Sequence, residues 1–231
     1  MRRYLLWGII AAAALARAGM AQQSGPIVIA VLPFEDRGSY GQDKEVFRAL
    51  ELGIPATFAA ELSRHPRVRV ADPARTRQAL QAQNLGPNAR VDAATAAKIG
   101  GEAGARYAIT GNFADFYGKF RIDARVVDVG NGQILKILSN NEPALQDRAD
   151  LSRIIQSLAE KALAAINLSA AGNPQGGRGG SVPTDALTQY SLGLLYESQG
   201  DKTKAAEHYQ RAVATFPEYS EAREGMQRVR P

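Results

Sequence analysis

Residues 106–138 read RYAITGNFADFYGKFRIDARVVDVGNGQILKIL, and their pattern decides the fold. From Lys119 to Val127 one side carries Phe120, Ile122, Ala124 and Val126. The other carries Lys119, Arg121, Asp123 and Arg125, with Val127 last. Strict alternation of this kind marks an antiparallel strand with one buried face. Tyr117-Gly118 predicts a tight turn back onto 107–116, and Gly130-Asn131-Gly132 a second turn into 133–139. Three consecutive strands then form a meander.

Upstream, Ile27-Val28-Ile29-Ala30-Val31-Leu32 has no alternation, as expected of a strand covered on both faces, and Pro33 is expected to end it by removing a donor. Phe34 to Gly41 reads as a turn-rich loop. A helix is predicted over about 50–64, where Pro55 either sits in the first turn or kinks a longer helix. Arg67 to Ala71 alternates and predicts a short strand. Asp72-Pro73 starts a helix to about Gln83, and Asp92 caps another over 93–103. The small side chains of that helix, with Gly100 and Gly101, predict close approach of helix to sheet, and Gly104 its end. Leu151, Ile154, Ile155, Leu158, Ala162 and Ile166 repeat at helical spacing within an amphipathic helix over 146–167. The class is therefore α/β with α+β character: a mixed sheet with an antiparallel meander, packed by helices.

The chain divides into four parts: an export signal over 1–21, the α/β domain over 22–168, a Gly-rich flexible linker over 169–183, and a helical module over 184–231. The signal reading rests on Arg2 and Arg3, the apolar run Leu5–Leu15, and the small residues of Gly19-Met20-Ala21 or Ala16-Arg17-Ala18. The competing membrane anchor needs about 20 apolar residues, and Arg17 cuts this run short. A Sec-type signal implies a periplasmic or cell-envelope address. Cleavage removes three of 28 basic residues and none of 23 acidic ones, leaving 25 against 23, a net +2 in place of +5. No basic patch is concentrated enough for a nucleic-acid footprint. With no Cys, disulfides, thiol catalysis and Cys-bound zinc are excluded.

The stretches Ile29-Ala30-Val31-Leu32-Pro33-Phe34-Glu35-Asp36-Arg37-Gly38 and Arg67-Val68-Arg69-Val70-Ala71-Asp72 are followed by Asp92–Gly100 and Gly104–Gly111. In this order they resemble the curli secretion channel (CsgG) family and the TolB amino-terminal-like group, over about 27–140. The resemblance implies an envelope α/β domain, no enzymatic activity, no cofactor and no metal. It also implies a partner among envelope proteins, or a second copy in a homo-oligomer, with peripheral association with the outer membrane. Two departures stand out. There is no Cys to carry a lipid, and the strands over 106–138 are joined by tight turns where the family inserts membrane hairpins. Charged Lys119, Arg121, Asp123 and Arg125 would be costly on a lipid face.

Leu192, Gly193, Tyr196, Ala205, Tyr209, Ala212 and Pro217 resemble one tetratricopeptide repeat, with Gln189 at the usual Trp position and a third helix expected over 218–228. One repeat falls below the ~3 needed for independent stability, so it is expected to dock on the core, a second copy or a partner. The repeat's usual geometry implies Tyr190, Leu194 and Glu197 as partner-facing residues. A plain helical hairpin with no binding role is the competing reading.

Catalytic constellations are sparse. His65 and His208 have no neighbouring ligand at metal spacing and read as capping or surface residues. Glu35-Asp36-Arg37 reads first as a structural turn and second as a small-molecule site. The leading expectation is a non-enzymatic envelope assembly or adaptor protein acting by protein–protein contact. The alternative is a subunit of a curli-like outer-membrane secretion complex.

Overall fold

The computed structural model describes residues 25–41, 43–85, 90–140, 145–168 and 181–230. The expected export signal, and the linker up to residue 180, lie outside the described residues. Among the described residues six strands form one mixed sheet: β1 (Ile27–Asp36), β2 (Val68–Val70), β3 (Tyr107–Phe116), β4 (Lys119–Asp128), β5 (Ile134–Ser139) and the short β6 (Gln146–Asp147). The order is β2-β1-β3-β4-β5, with β6 pairing the start of β4. β1 runs parallel to β2 and β3, while β3, β4 and β5 form the expected antiparallel meander. The turn Tyr117-Gly118 has φ of 54° and 87°, the left-handed pair that a two-residue hairpin requires.

The α-helices among the described residues are α1 (Lys44–Ser63), α2 (Pro73–Ala82), α3 (Ala93–Glu102), α4 (Leu151–Ala165), α5 (Thr184–Ser198), α6 (Lys202–Thr215) and α7 (Ser220–Val229). Asp72 and Asp92 cap α2 and α3 by accepting from Ala74 N–H and Thr95 N–H, each at 2.8 Å. One sheet face packs under α1 and α4, through Ile29, Ile109, Phe113, Phe120, Ile122 and Val126. The other packs under α2 and α3, through Ala30, Leu32, Ala108 and Val127. Gly100 lets α3 approach: a Cβ there would lie 2.7 Å from Val129 and 3.2 Å from Ala108.

Pro33 does not end β1. The pairing of β1 with β3 shifts register between Val31 and Phe34, and the strand resumes to Asp36. The shift has a packing consequence. Leu32 faces α2 and α3, yet Phe34, two residues on, lies in the core beneath α1. In a regular strand these two would share a face. The irregularity at proline turns Phe34 over, onto Phe58 at a ring distance of 6.0 Å.

The first helix also exceeds its sequence boundaries. It starts at Lys44 and runs unbroken through Pro55. Pro55 removes a ladder donor, and burial on two sides offsets that loss. Phe47, Leu50, Ile54, Phe58 and Leu62 face the sheet. Ala49 and Leu52 pack with Leu192 and Leu195 of α5. Gly53 lies against Ser191 so closely that an added Cβ would stand 1.8 Å from Ser191 Oγ. The helical module is thus seated on the α/β unit through α1.

We predict that Gly53→Val lowers stability by about 1–3 kcal/mol in chemical denaturation, because the contact cannot expand. Ser191→Ala should be close to neutral, since its hydroxyl bonds only the Leu187 carbonyl of its own helix, at 2.7 Å.

Candidate docking surface

At the end of the sheet where β3 turns into β4, the chain builds an exposed aromatic rim. Tyr40, Phe116 and Tyr117 are 56%, 38% and 85% exposed. The Tyr40 ring lies 5.9 Å from Phe116 and 5.9 Å from Tyr117, and its plane is 20° from that of Tyr117. Backbone bonds fix the rim. Arg37 N–H donates to the Phe113 carbonyl and Tyr40 N–H to the Asp115 carbonyl, both at 2.8 Å. Asp115 N–H donates to Ser39 Oγ at 3.0 Å, and Ser39 donates both N–H and O–H to Asp36 Oδ1 at 2.9 and 2.6 Å.

Beneath the rim, Asp115 is buried. Its Oδ1 accepts from Gly118 N–H at 2.6 Å, and its Oδ2 stands 2.9 Å from the Arg148 guanidinium. Arg148 N–H in turn donates to the Gly118 carbonyl at 2.7 Å. The tight turn is held through the Gly118 backbone by Asp115 of β3 and by Arg148, which follows β6; the Asp115 carboxylate is buried and the Arg148 guanidinium half-buried. Removing Arg148 would leave the buried Asp115 carboxylate without its countercharge.

The carboxylates of the β1–α1 loop are engaged in structure. Glu35 pairs with Arg37 at 3.1 Å, and Asp36 binds Ser39. Glu51 of α1 is buried, and its Oε1 accepts from Asp36 N–H at 3.3 Å. Burial pushes its carboxyl above the ordinary value, with repulsion from Asp36 and Glu35 adding to this. The Asp36 N–H bond and Arg48 act the other way. Two shallow hollows lie away from this loop: one of about 440 Å³ between α5 and α6, beside Gln189 and Arg211, and one of about 490 Å³ at the start of β1, beside Arg67 and Arg106. Among the described residues no group of three His, Asp or Glu is placed to hold a metal ion.

The residues implied by the repeat resemblance sit as follows. Tyr190 is buried, with its ring 5.9 Å from Tyr209 and 5.1 Å from Tyr219. Leu194 is half-buried against the same cluster. Glu197 accepts from Arg228 Nε and Nη2, each at 3.0 Å, and from the Tyr209 hydroxyl. Burial alone would raise the Glu197 pKa, but the bonds from Arg228 and Tyr209 outweigh it and hold the carboxyl below its ordinary value. These three residues therefore tie α5 to α6 and α7. Tyr209 fills the space between the helices, pressed between Gly193 and Gly225. Tyr196 is half-buried against the same cluster, stacks on His208 of α6 at 5.3 Å and donates its hydroxyl to Glu45 of α1. His65 is buried, and its Nδ1 accepts from Arg67 N–H at 3.2 Å. His208 bonds Gln189 at 2.8 Å.

No family model and no curated protein matches the chain. Among solved structures it is similar to the LpoB C-terminal domain from Salmonella enterica, with a TM-score of 0.39 and 15% identity over 52% of this chain and 84% of that one. It is also similar to LpoB from E. coli, with 0.40 and 17% over 50% and 55%. A third is TolB from Acinetobacter baumannii, with 0.37 and 22% over 68% and 31%. The chain thus spans about half of the E. coli LpoB chain and a third of the TolB chain. None of these scores decides a function.

Two carboxylates should titrate with opposite sign. Glu51 favours its protonated form in the fold, so Glu51→Gln should raise stability at pH 7–8, the gain vanishing as pH falls towards 4.5. Glu197 favours its charged form, so Glu197→Gln should cost about 1–2 kcal/mol at neutral pH, the loss closing as pH falls below 4.5. Thermal melts across pH 4–8 read both.

Proposed function

We propose that this is an exported, non-enzymatic cell-envelope protein of the CsgG-like type, an assembly or adaptor component that works in the periplasm by docking onto other proteins. The observation that carries this reading is where exposed apolar surface lies. Among the described residues, the large exposed hydrophobics are Tyr40, Phe116, Tyr117, Ile134, Leu135 and Ile137. All belong to the α/β unit, in two clusters, and aromatic residues mounted on rigid backbone are effective contact points. The carboxylates nearest the rim are committed to turns and ion pairs, which argues against acid–base chemistry there.

In this reading the domain over 22–168 supplies the contact surface, and the tetratricopeptide-like module over 184–231 braces it. Tyr190 and Glu197 would meet a partner only where α7 is displaced, since Tyr219 and Arg228 of that segment now cover them, while Leu194 is half-buried beside them. The leader over 1–21 would deliver the protein across the inner membrane.

Deleting the module is a poor test, because it would bare Ala49, Leu52 and Gly53 of α1. Tyr40→Ala with Tyr117→Ala removes only exposed rings, so stability should change by no more than about 0.5 kcal/mol per site. Crosslinking in intact cells, read by mass spectrometry, should then lose the envelope partners recovered with the wild-type protein by at least about tenfold, the scale of one or two contact residues. Unchanged recovery would remove the rim from the account.

A further inference from the structure

The second exposed cluster lies on a strand edge. β5 is the last strand on its side of the sheet, and among the described residues no strand pairs with its outer side. Edge strands are commonly protected by proline, by several charges or by a covering element. β5, Ile134-Leu135-Lys136-Ile137-Leu138-Ser139, has no proline and one charge, with Ile134, Leu135 and Ile137 42%, 42% and 61% exposed. The register against β4 shifts at Leu135, which brings Ile134 and Ile137 to one face of the strand. Ile137 pairs with Arg125 and Ile134 with Val127 on the side away from α4. Lys136 pairs with Val126, and Leu138 with Ala124, on the side of α4.

The charges left unpaired beside this edge are basic: Asp123, opposite Ser139, is bound by Arg121 at 2.9 Å. Lys136 and Arg125 form no ion pair among the described residues. Lys161 of α4 reaches over the Ser139 carbonyl at 3.5 Å. Such an edge is poorly matched to a second copy of itself. Antiparallel self-pairing centred on Lys136 sets lysine opposite lysine, which is destabilising. Centring on Ile137 sets Lys136 opposite the buried Leu138 and Leu135 opposite Ser139. We propose that β5 accepts an extended, acidic segment of a partner protein as an added strand. Its carboxylates would lie towards Lys136 and Lys161, and its apolar residues against Ile134 and Ile137. Backbone bonds would supply affinity, and the alternating faces selectivity.

The inference rests on the docking reading and names its partner's chemistry. The test uses the purified protein and two capped octapeptides, alternating Val with Glu or Val with Lys. Fluorescence anisotropy should show the Glu peptide binding at least tenfold more tightly. Ile137→Lys should weaken that binding tenfold or more, and Lys136→Glu should shift preference towards the Lys peptide. Hydrogen exchange on the wild-type protein should show new protection of 134–138 with the Glu peptide. Equal affinity for both peptides, or no protection at 134–138, overturns the proposal. So does a peptide-free dimer in sedimentation velocity that Ile137→Lys abolishes, because a second copy would then be the occupant. Failure here, with partner recovery still dependent on Tyr40 and Tyr117, refutes the edge and leaves the docking reading standing.

Discussion

Everything else in the molecule depends on α1 being buried on both sides. Helices at the surface of a sheet usually keep one polar face, and a helix apolar on two sides must be enclosed. Phe47, Leu50, Ile54, Phe58 and Leu62 fill the core above the sheet. Ala49, Leu52 and Gly53 meet α5 on the opposite side. The contact at Gly53 and Ser191 has no room for even one methyl group. It sets the distance between the two halves of the chain, and Thr184 adds a tether by donating to the Ala149 carbonyl at 2.7 Å. Glu51 also sits on this helix, and burial against β1 accounts for its raised pKa.

The two prolines show tertiary structure overruling local preference. Pro33 was expected to end a strand and Pro55 to open a helix or kink a longer one, and each lies inside an element. At Pro33 the missing donor falls where the β1–β3 pairing is already irregular, so no ladder bond need be lost. At Pro55 the helix loses one bond, while Ile54 and Phe58 beside it are fully buried. Burying side chains of that size is worth about 1.5–3 kcal/mol each, comparable to the roughly 3 kcal/mol that an interior proline costs. Local signals therefore gave boundaries that were too short.

What was legible was whatever repeats along the chain. The alternation in β4 located Phe120, Ile122, Ala124 and Val126, all buried beneath α1 and α4. Asp72 and Asp92 located two helix starts, and Gly100 a close approach. The aromatic rim was not legible, because its members come together only in the fold. Ser39 and Asp115 are 76 residues apart and meet through one hydrogen bond. Turn chemistry at Tyr117-Gly118 was visible, but a bulky tyrosine at positive φ was the signal that went unread. That position favours Gly, Asn or Asp, and placing an exposed aromatic ring there gives up some local stability. The bond from Tyr196 to Glu45 was hidden for a similar reason: Glu45 lies on the first helix.

A single helical repeat should be unstable alone, since each repeat buries its apolar face only against a neighbour. Here the neighbours are present but are not repeats. α1 covers one side of α5 through Ala49 and Leu52. α7 covers another, through Tyr219 on Tyr190 and the Arg228 guanidinium on Glu197. Between them they supply the contacts that adjoining repeats supply in a longer array. The α7 contacts fall on Tyr190 and Glu197, two of the three residues that the repeat resemblance implies as partner-facing. A partner binding there would first have to displace Tyr219 and break the bidentate Arg228 pair. The aromatic rim and the β5 edge carry no such cost, because their apolar groups already face water. That difference in cost, rather than any sequence signature, weighs the docking reading towards the sheet.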